Sequence, residues 1–307
     1  MLLDARQLEH LAAIVDHSTL QNAANYLGTS QPALSRMLRQ IEDRIGMPLF
    51  ERGSRPLVVT EIGRKLSDQG RAIKAARTRA AEDITLNTRG MSGMLKIGAP
   101  PFLCERLVGD AIATFFKTRK DVEIHLTSDY FPTLERAILL NQIDIIVCPI
   151  KLVVASKAEL GVEPLFKDEH VIVARKDHAL AKKATITTED LENAAWIGHA
   201  QHSMLHTDMA TALASIGVTN LKFGFHSVSA GANFEMLRKT DFLTVLPRYA
   251  LSRIQTDNGL SVLPIKFDTA TLTVGMVTLK ERPQSALLSA FKQHVSDYVT
   301  SSGLVQS

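Results

Sequence analysis

The residue types best suited to chemistry in this chain lie within one short stretch. Gln31, Arg36 and Arg39 fall in a single helical pattern. A glutamine amide can pair bidentately with adenine, and an arginine guanidinium with guanine, in the major groove of duplex DNA. Thr29, Ser30 and Ser35 add hydroxyls beside them, and Pro32 marks a first helical turn. Hydroxyls and backbone amides at a helix N-terminus can hold phosphates. Further on, Arg52 and Arg55 flank a Gly53-Ser54 turn, from which a basic loop could reach phosphate or a minor groove. The same residues would also suit the solvated face of an ordinary helical hairpin. The scaffold around them has to separate the two readings.

Other chemistry-bearing residues form weaker groupings. His199, His202 and His206 are closely spaced, and the last two, four apart, could share one helix face toward a metal. No fixed carboxylate or cysteine completes a recognisable ligand set, so no metal is assigned. Cys104 and Cys148 form no CxxC arrangement. Cys148 closes an apolar run, and burial explains it better than redox chemistry. Two cysteines also argue against a disulfide framework or a four-cysteine zinc site. Serines and histidines are plentiful, but without a nucleophile elbow they specify no catalytic triad. No catalytic residue and no cofactor is assigned.

The elements that must position the polar stretch are legible. Leu20, Ala23, Ala24 and Leu27 recur at i, i+3, i+4 and i+7, giving an apolar face whose small centre lets a second helix cross closely. Gly28 suits a left-handed C-terminal position, Thr29 or Ser30 can cap the next helix, and Pro32 is tolerated in its first turn. Leu34, Met37 or Leu38, Ile41 and Ile45 then form a buried stripe, leaving Gln31, Ser35, Arg36 and Arg39 opposite. Upstream, Leu8, Leu11, Ala12 and Val15 predict a covering helix. Downstream, Leu49-Phe50 and Leu57–Val59 predict a β-hairpin, or wing, around the Gly53-Ser54 turn.

Residues 4–63 resemble the winged helix-turn-helix of LysR-type transcriptional regulators. The resemblance rests on AANYLGTSQPALSRMLRQIEDRIGMPLFER and the closing Val59-Thr60-Glu61-Ile62-Gly63, with no gap. Leu11 stands where the family usually carries an aromatic residue, a conservative departure. The resemblance implies a repressor or activator that binds double-stranded promoter DNA and answers a small molecule.

Charge distribution agrees with that class. Residues 1–90 hold 13 Lys+Arg against 10 Asp+Glu, whereas the remainder is balanced at 22 and 22. All the excess of the +3 net charge therefore falls in the proposed DNA module. No apolar run reaches a bilayer span and the N-terminus lacks a signal-peptide pattern, so a cytoplasmic protein without a membrane partner is expected. From Thr60 to about residue 89 no proline occurs. Ile62, Leu66, Ile73, Ala80 and Ile84 form a narrow helical stripe that suits a partner helix more than a globular core. In the family this is the linker helix that joins subunits, which implies a homodimer or a homotetramer.

Gly90-Met91-Ser92-Gly93 breaks that helix. Beyond it, strands at Leu95–Ile97, Val122–Leu126 and Ile143–Cys148 alternate with helices at 101–117 and 132–140. A second unit places strands at Val171–Ala174, Trp196-Ile197, Lys222–Phe225 and Leu243–Leu246, with helices near 187–193, 203–216 and 229–239. Strand Leu272–Leu279 and helix 284–299 close the chain. Repeated βαβ order predicts parallel sheet with helices on both faces. The layout resembles the effector-binding part of LysR-type regulators, itself similar to periplasmic binding proteins, on NQIDIIVCPI, GVEPLFKDEHVIVARKDHAL, EDLENAAWI and LRKTDFLTVLPRYA.

A two-lobed α/β fold binds ligand at the carboxyl ends of its strands. That rule selects Pro100, Pro101 and Phe102, then Cys148 and Pro149, in the first lobe. In the second it selects His199, Gln201, His202 and Ser203, then Ser227 and Val228. Helix N-termini with Ser and His nearby suit a small anion such as a carboxylate. The expectation is thus an α/β protein in three parts. These are a winged helix-turn-helix DNA-binding domain (1–61), a dimerisation helix (62–90) and a two-lobed effector-binding domain (91–307). A transport-type binding protein and an enzyme on the two-lobed domain are the alternatives. The first lacks an export signal and the second a catalytic constellation.

Overall fold

Each helix of the N-terminal unit begins on a side chain able to cap it. The Asp4 carboxylate accepts from the Arg6 amide while Gln7 accepts from the Asp4 amide, opening α1 (Ala5–His17). Thr19 accepts from the Asn22 amide ahead of α2 (Leu20–Leu27), and Ser30 from the Ala33 amide ahead of α3 (Gln31–Ile45). Gly28 and Gly46 end α2 and α3 at φ of 63° and 71°, a conformation that a Cβ would penalise. Leu11, Ile14, Ala23, Ala24, Leu34, Leu38 and Ile41 fill the space between the three helices. The computed structural model describes residues 3–51, 53, 57–88, 92–153, 159–199, 204–251, 259–267, 272–282 and 284–302.

Among the described residues the expected wing shows an antiparallel bridge, Phe50 with Val59, flanked by hydrogen bonds from the Glu51 amide to the Val58 carbonyl and from the Thr60 amide to the Leu49 carbonyl. Arg52, Ser54 and Arg55, at the expected tip, lie outside the described residues. Thr60 joins this bridge to the next helix. Its hydroxyl donates toward the Pro48 and Leu49 carbonyls and accepts from the Gly63 amide, which starts α4 (Glu61–Thr88).

The first half of α4 is seated on α1. A Cβ at Gly70 would lie 2.0 Å from the Leu8 carbonyl oxygen, and one at Gly63 2.2 Å from that of Leu49. Only glycine permits such backbone contact. Arg71, 8% exposed, donates through Nε and Nη2 to Asp16 at 3.0 and 2.6 Å, and through Nη1 to Asp68 and Ser67. Lys74 donates to the Tyr26 hydroxyl at 2.5 Å, and Arg77 to both oxygens of Glu9 at 2.9 and 2.8 Å.

From residue 93 the chain alternates strand and helix. In order these are β1 (Gly93–Ala99), α5 (Pro101–Leu103), α6 (Gly109–Thr118), β2 (Val122–Ser128), α7 (Thr133–Leu139) and β3 (Ile145–Pro149). There follow β4 (Leu160–Asp168), β5 (His170–Arg175), α8 (Thr188–Asn193), β6 (Ala195–Gly198), α9 (Met204–Ala214) and β7 (Lys222–His226). The last are α10 (Ala230–Lys239), β8 (Phe242–Pro247), β9 (Leu260–Val262), β10 (Leu272–Leu279) and α11 (Ala286–Ser301). Contacts divide the chain into Met1–Met94 with Arg136–Ile143, and Leu95–Glu135 with Asp144–Ser307. Among the described residues no helix is long and apolar enough to cross a membrane.

Two five-stranded sheets result, ordered β2-β1-β3-β10-β4 and β7-β6-β8-β5-β9. They are mixed, where the βαβ reading predicts parallel sheet. β10 runs antiparallel to β3 and β4, and β5 antiparallel to β8 and β9, while β1/β3, β6/β7 and β6/β8 are parallel. β10 and β5, on which the chain enters each sheet from the other lobe, are the strands that run against their neighbours. β5 is covered on both faces: Val171 and Val173 belong to one apolar cluster, Ile172 and Ala174 to another. Period-two alternation requires this of a buried strand.

The helix expected at 101–117 is interrupted by a π-helical turn over Cys104–Val108. A Cβ at Gly109 would stand 2.8 Å from the Cys104 carbonyl oxygen, so glycine follows where the widened turn closes.

Gly70→Ala should lower the unfolding free energy by about 1–3 kcal/mol through overpacking. Gly231→Ala, whose new methyl inside α10 meets open space, should be neutral or stabilising by about 0.5–1 kcal/mol. Urea unfolding of both variants checks this; equal effects would contradict the α1–α4 contact.

Candidate DNA interface and ligand cleft

The polar end of α3 is presented outward. Thr29, Ser30, Gln31, Pro32, Arg36 and Arg39 are exposed and Ser35 is half-buried, while Leu34, Leu38 and Ile41 hold the opposite side in the core. Pro32 has no N–H, and Ser30 takes the Ala33 and Leu34 amides, so this helix end offers an acceptor chiefly the Gln31 amide, to which the helix dipole adds attraction for phosphate. The exposed guanidiniums of Arg36 and Arg39 lie on the side that such a docking would turn toward bases. Tyr26 of α2 is 52% exposed. It is held between the His17 ring, at 4.5 Å, and the Lys74 ammonium, 5.0 Å from its centroid.

The expected dimer stripe divides. Ile62 and Leu66 are half-buried against the helix-turn-helix core of their own chain. A helical stripe reveals that a partner exists, not whether it comes from the same chain. Ile73 is half-buried, Ala80 is exposed and Ile84 is 68% exposed.

In the larger unit a cleft of about 480 Å³, counting space open to solvent, lies where strand ends converge. Phe102 enters it just after β1, Pro149 at the end of β3, His199 after β6 and Val245–Pro247 at the end of β8. This is the carboxyl-end position expected of an α/β ligand site. Leu205, Asp208 and Met209 of α9, with Lys151, Leu152, His170 and Leu272, complete the wall. Asp208 anchors its polar side. One carboxylate oxygen pairs with the Lys151 ammonium and the other lies 3.2 Å from His170 Nε2. Burial pushes the Asp208 carboxyl up, but hydrogen bonds and charge from His170 and Lys151 outweigh it and hold it below the usual carboxylate range.

His199 lies edge-on to Tyr130, with centroids 6.3 Å apart, and its carbonyl accepts from His226 Nδ1 at 2.9 Å. Its own Nδ1 is buried without a hydrogen-bond partner among the described residues. Burial, then the charge of His206, lowers the imidazole to about 4. The Tyr130 hydroxyl donates to the Val228 carbonyl at 3.2 Å, and burial with the Asp129 charge pushes the phenol up to about 12.

Of the residues selected by strand ends, Phe102, Pro149 and His199 line the cleft. Pro100 and Pro101 instead start α5, Pro100 through carbonyl contacts to the Leu103 and Cys104 amides. Cys148 is corrected: it is fully buried in β3, where a strand covered on both faces turns neither side to solvent. Ser227 shapes the turn before α10, accepting from the Ser229 amide and, through its carbonyl, from Asn233. Val228 reaches Tyr130 by its carbonyl. Gln201, His202 and Ser203 lie outside the described residues. His206 packs on Phe223 and His226, with centroids 5.0 and 6.1 Å away. The residues missed, Lys151, His170 and Asp208, carry no local motif, because tertiary folding alone brings them together.

In the fold His199 stays neutral down to about pH 4, whereas an unfolded histidine takes its proton near pH 6.5. Between those values the unfolded state binds the additional proton. Acidification therefore removes stability, and the loss is complete below about pH 4. The gap corresponds to about 3 kcal/mol. Urea unfolding near pH 7 and pH 4 should show His199→Gln losing about that much less than the parent; equal losses would contradict the buried neutral imidazole.

Comparison with known proteins joins the two sites in one class. Residues 5–64 match the bacterial regulatory helix-turn-helix protein, lysR family, and residues 88–300 match the LysR substrate binding domain. The DNA-binding transcriptional dual regulator OxyR of Escherichia coli (strain K12) is 27% identical over 291 residues, 95% of this chain and 93% of that protein. The hydrogen peroxide-inducible genes activator of Pectobacterium carotovorum subsp. carotovorum is 26% identical over 292 residues, 95% of this chain and 94% of its own length. Full-length CbnR complexed with its target DNA superposes with a TM-score of 0.65 at 15% identity, covering 96% of this chain and 99% of CbnR. The chain belongs to the LysR family of bacterial helix-turn-helix regulatory proteins.

Proposed function

We propose that this LysR-type transcriptional regulator docks the N-terminal end of α3 in the major groove of promoter DNA and reads bases there. Arg36, Arg39 and Gln31 are assigned to base edges, and Thr29, Ser30, Pro32 and Ser35 to positioning on the backbone. The observation that carries the reading is the capped, outward polar end of α3 on a buried apolar stripe. The structural likeness of CbnR, whose structure is of a complex with its own target DNA, supports it. Arg52 and Arg55 are assigned to phosphate or minor-groove contact on the strength of sequence alone.

Subunits would pair through the outer part of α4, with Ile73, Ala80 and Ile84 on the contact line, as a homodimer or homotetramer. Residues 1–61 would then be the DNA module, 62–90 the dimerisation helix and 91–307 the effector domain. A small molecule held in the cleft by Phe102, Pro149 and His199 would favour one arrangement of lobes or subunits and change the spacing of the DNA modules. This requires different affinities for the two arrangements. The ligand is sensed, not turned over, and the protein acts in the cytoplasm, where its DNA is.

Reversible ligand binding also suits the thiols. The Pectobacterium relative is named for induction by hydrogen peroxide. Thiol oxidation by peroxide proceeds through an accessible thiolate. Here Cys148 is fully buried and Cys104 half-buried, burial raises both thiols, and Cys104 donates to the Ala99 carbonyl at 3.2 Å.

Two outcomes follow. Arg36→Ala should weaken operator binding by about 1–3 kcal/mol, read by fluorescence anisotropy, with unchanged thermal unfolding; wild-type affinity in the folded variant contradicts the assignment. Peroxide treatment should leave both thiols titratable under denaturing conditions and the operator footprint unaltered. Loss of a thiol together with a changed footprint would make oxidation the signal.

A further inference from the structure

We infer that the cleft takes an uncharged ligand with an apolar body and one hydrogen-bonding group, and that Asp208 sets this charge preference. The inference rests on the cleft being the effector site. Among its described lining residues only Lys151, His170, His199 and Asp208 are polar; Phe102, Leu205, Met209 and Val245 are among the apolar remainder. Lys151 is the permanent cation of that wall, and Asp208 already neutralises it. The second Asp208 oxygen faces His170, whose side chain is 9% exposed. A ligand carboxylate would therefore shed its water without gaining an unpaired cation, and would face the Asp208 charge. A ligand ammonium meets the mirror-image problem at Lys151. His199, on the cleft wall, brings an imidazole that can exchange a hydrogen bond with a neutral group. The N-terminus of α9 favours an anion, which makes a carboxylate the competing occupant.

Matched isosteres separate the two. The full-length protein is titrated calorimetrically, and melted, with phenylacetamide against phenylacetate and cyclohexylacetamide against cyclohexylacetate. The amides should bind more tightly, by about tenfold or more, and raise the melting temperature. Asp208→Asn leaves Lys151 unneutralised and should reverse the order, the acid gaining about tenfold. Lys151→Met, at a side chain 41% exposed, should widen the amide preference. It carries the test if Asp208→Asn fails to fold. Leu205→Trp should block the cleft and abolish binding of the amides while operator binding persists.

Tighter binding of the acids to the parent protein overturns the uncharged-ligand inference and leaves the cleft standing as a ligand site. Binding that survives Leu205→Trp places the ligand elsewhere and overturns the cleft reading as well. If neither pair binds, the inference falls.

Discussion

The orientation of the reading helix depends on one contact, the seating of α1 on α4. Gly70 lacks the Cβ that would collide with the Leu8 carbonyl, so the two helices meet backbone to backbone. Arg71, almost fully buried, would be costly in that position without its carboxylates; Asp16 and Asp68 supply them from two helices. Ile62 and Leu66 then extend the helix-turn-helix core onto α4. The consequence is mechanical. α3 packs on α2 and α1, and α1 is fixed to α4, so a rotation of α4 is delivered to the polar end of α3. In a paired regulator, that linkage would convert a change in subunit arrangement into a change in spacing on DNA.

The cleft depends on a related economy of contacts. Two mixed sheets bring their strand ends together. Among the described residues, the places where side chains from the first lobe meet the second include Lys151 at Asp208, the Tyr130 hydroxyl at the Val228 carbonyl and the Tyr130 ring at His199. A ligand must fit among these pairs or replace one of them. Replacing Lys151–Asp208 would leave charges uncompensated, while slipping between apolar walls would not. Contact between the lobes and the choice of ligand would therefore draw on the same few side chains.

Much of the DNA module was legible because its signals are local. The Gly28 C-cap, Ser30 cap, Pro32 first turn and apolar spacing of α3 each follow from residues a few positions apart, and the strand at Leu272–Leu279 matches its expected span. β4 was missed because Glu163 and Pro164 disguise it, and a proline is tolerated there because β4 is the edge of its sheet. The π-turn at Cys104–Val108 changes hydrogen-bond register without changing residue preferences. The Lys151–Asp208 pair joins positions 57 residues apart, a separation that no spacing rule addresses. Cys148 was placed by its strand end, but the strand is covered on both faces and buries it.

The central claim is that the polar end of α3 reads DNA sequence. Selection from a pool of random-sequence duplexes with the purified full-length protein tests it most directly. The account predicts an enriched motif with two related half-sites about one helical turn, or a multiple of it, apart. A selected pool indistinguishable from the input, with binding governed by duplex length and salt alone, would contradict it.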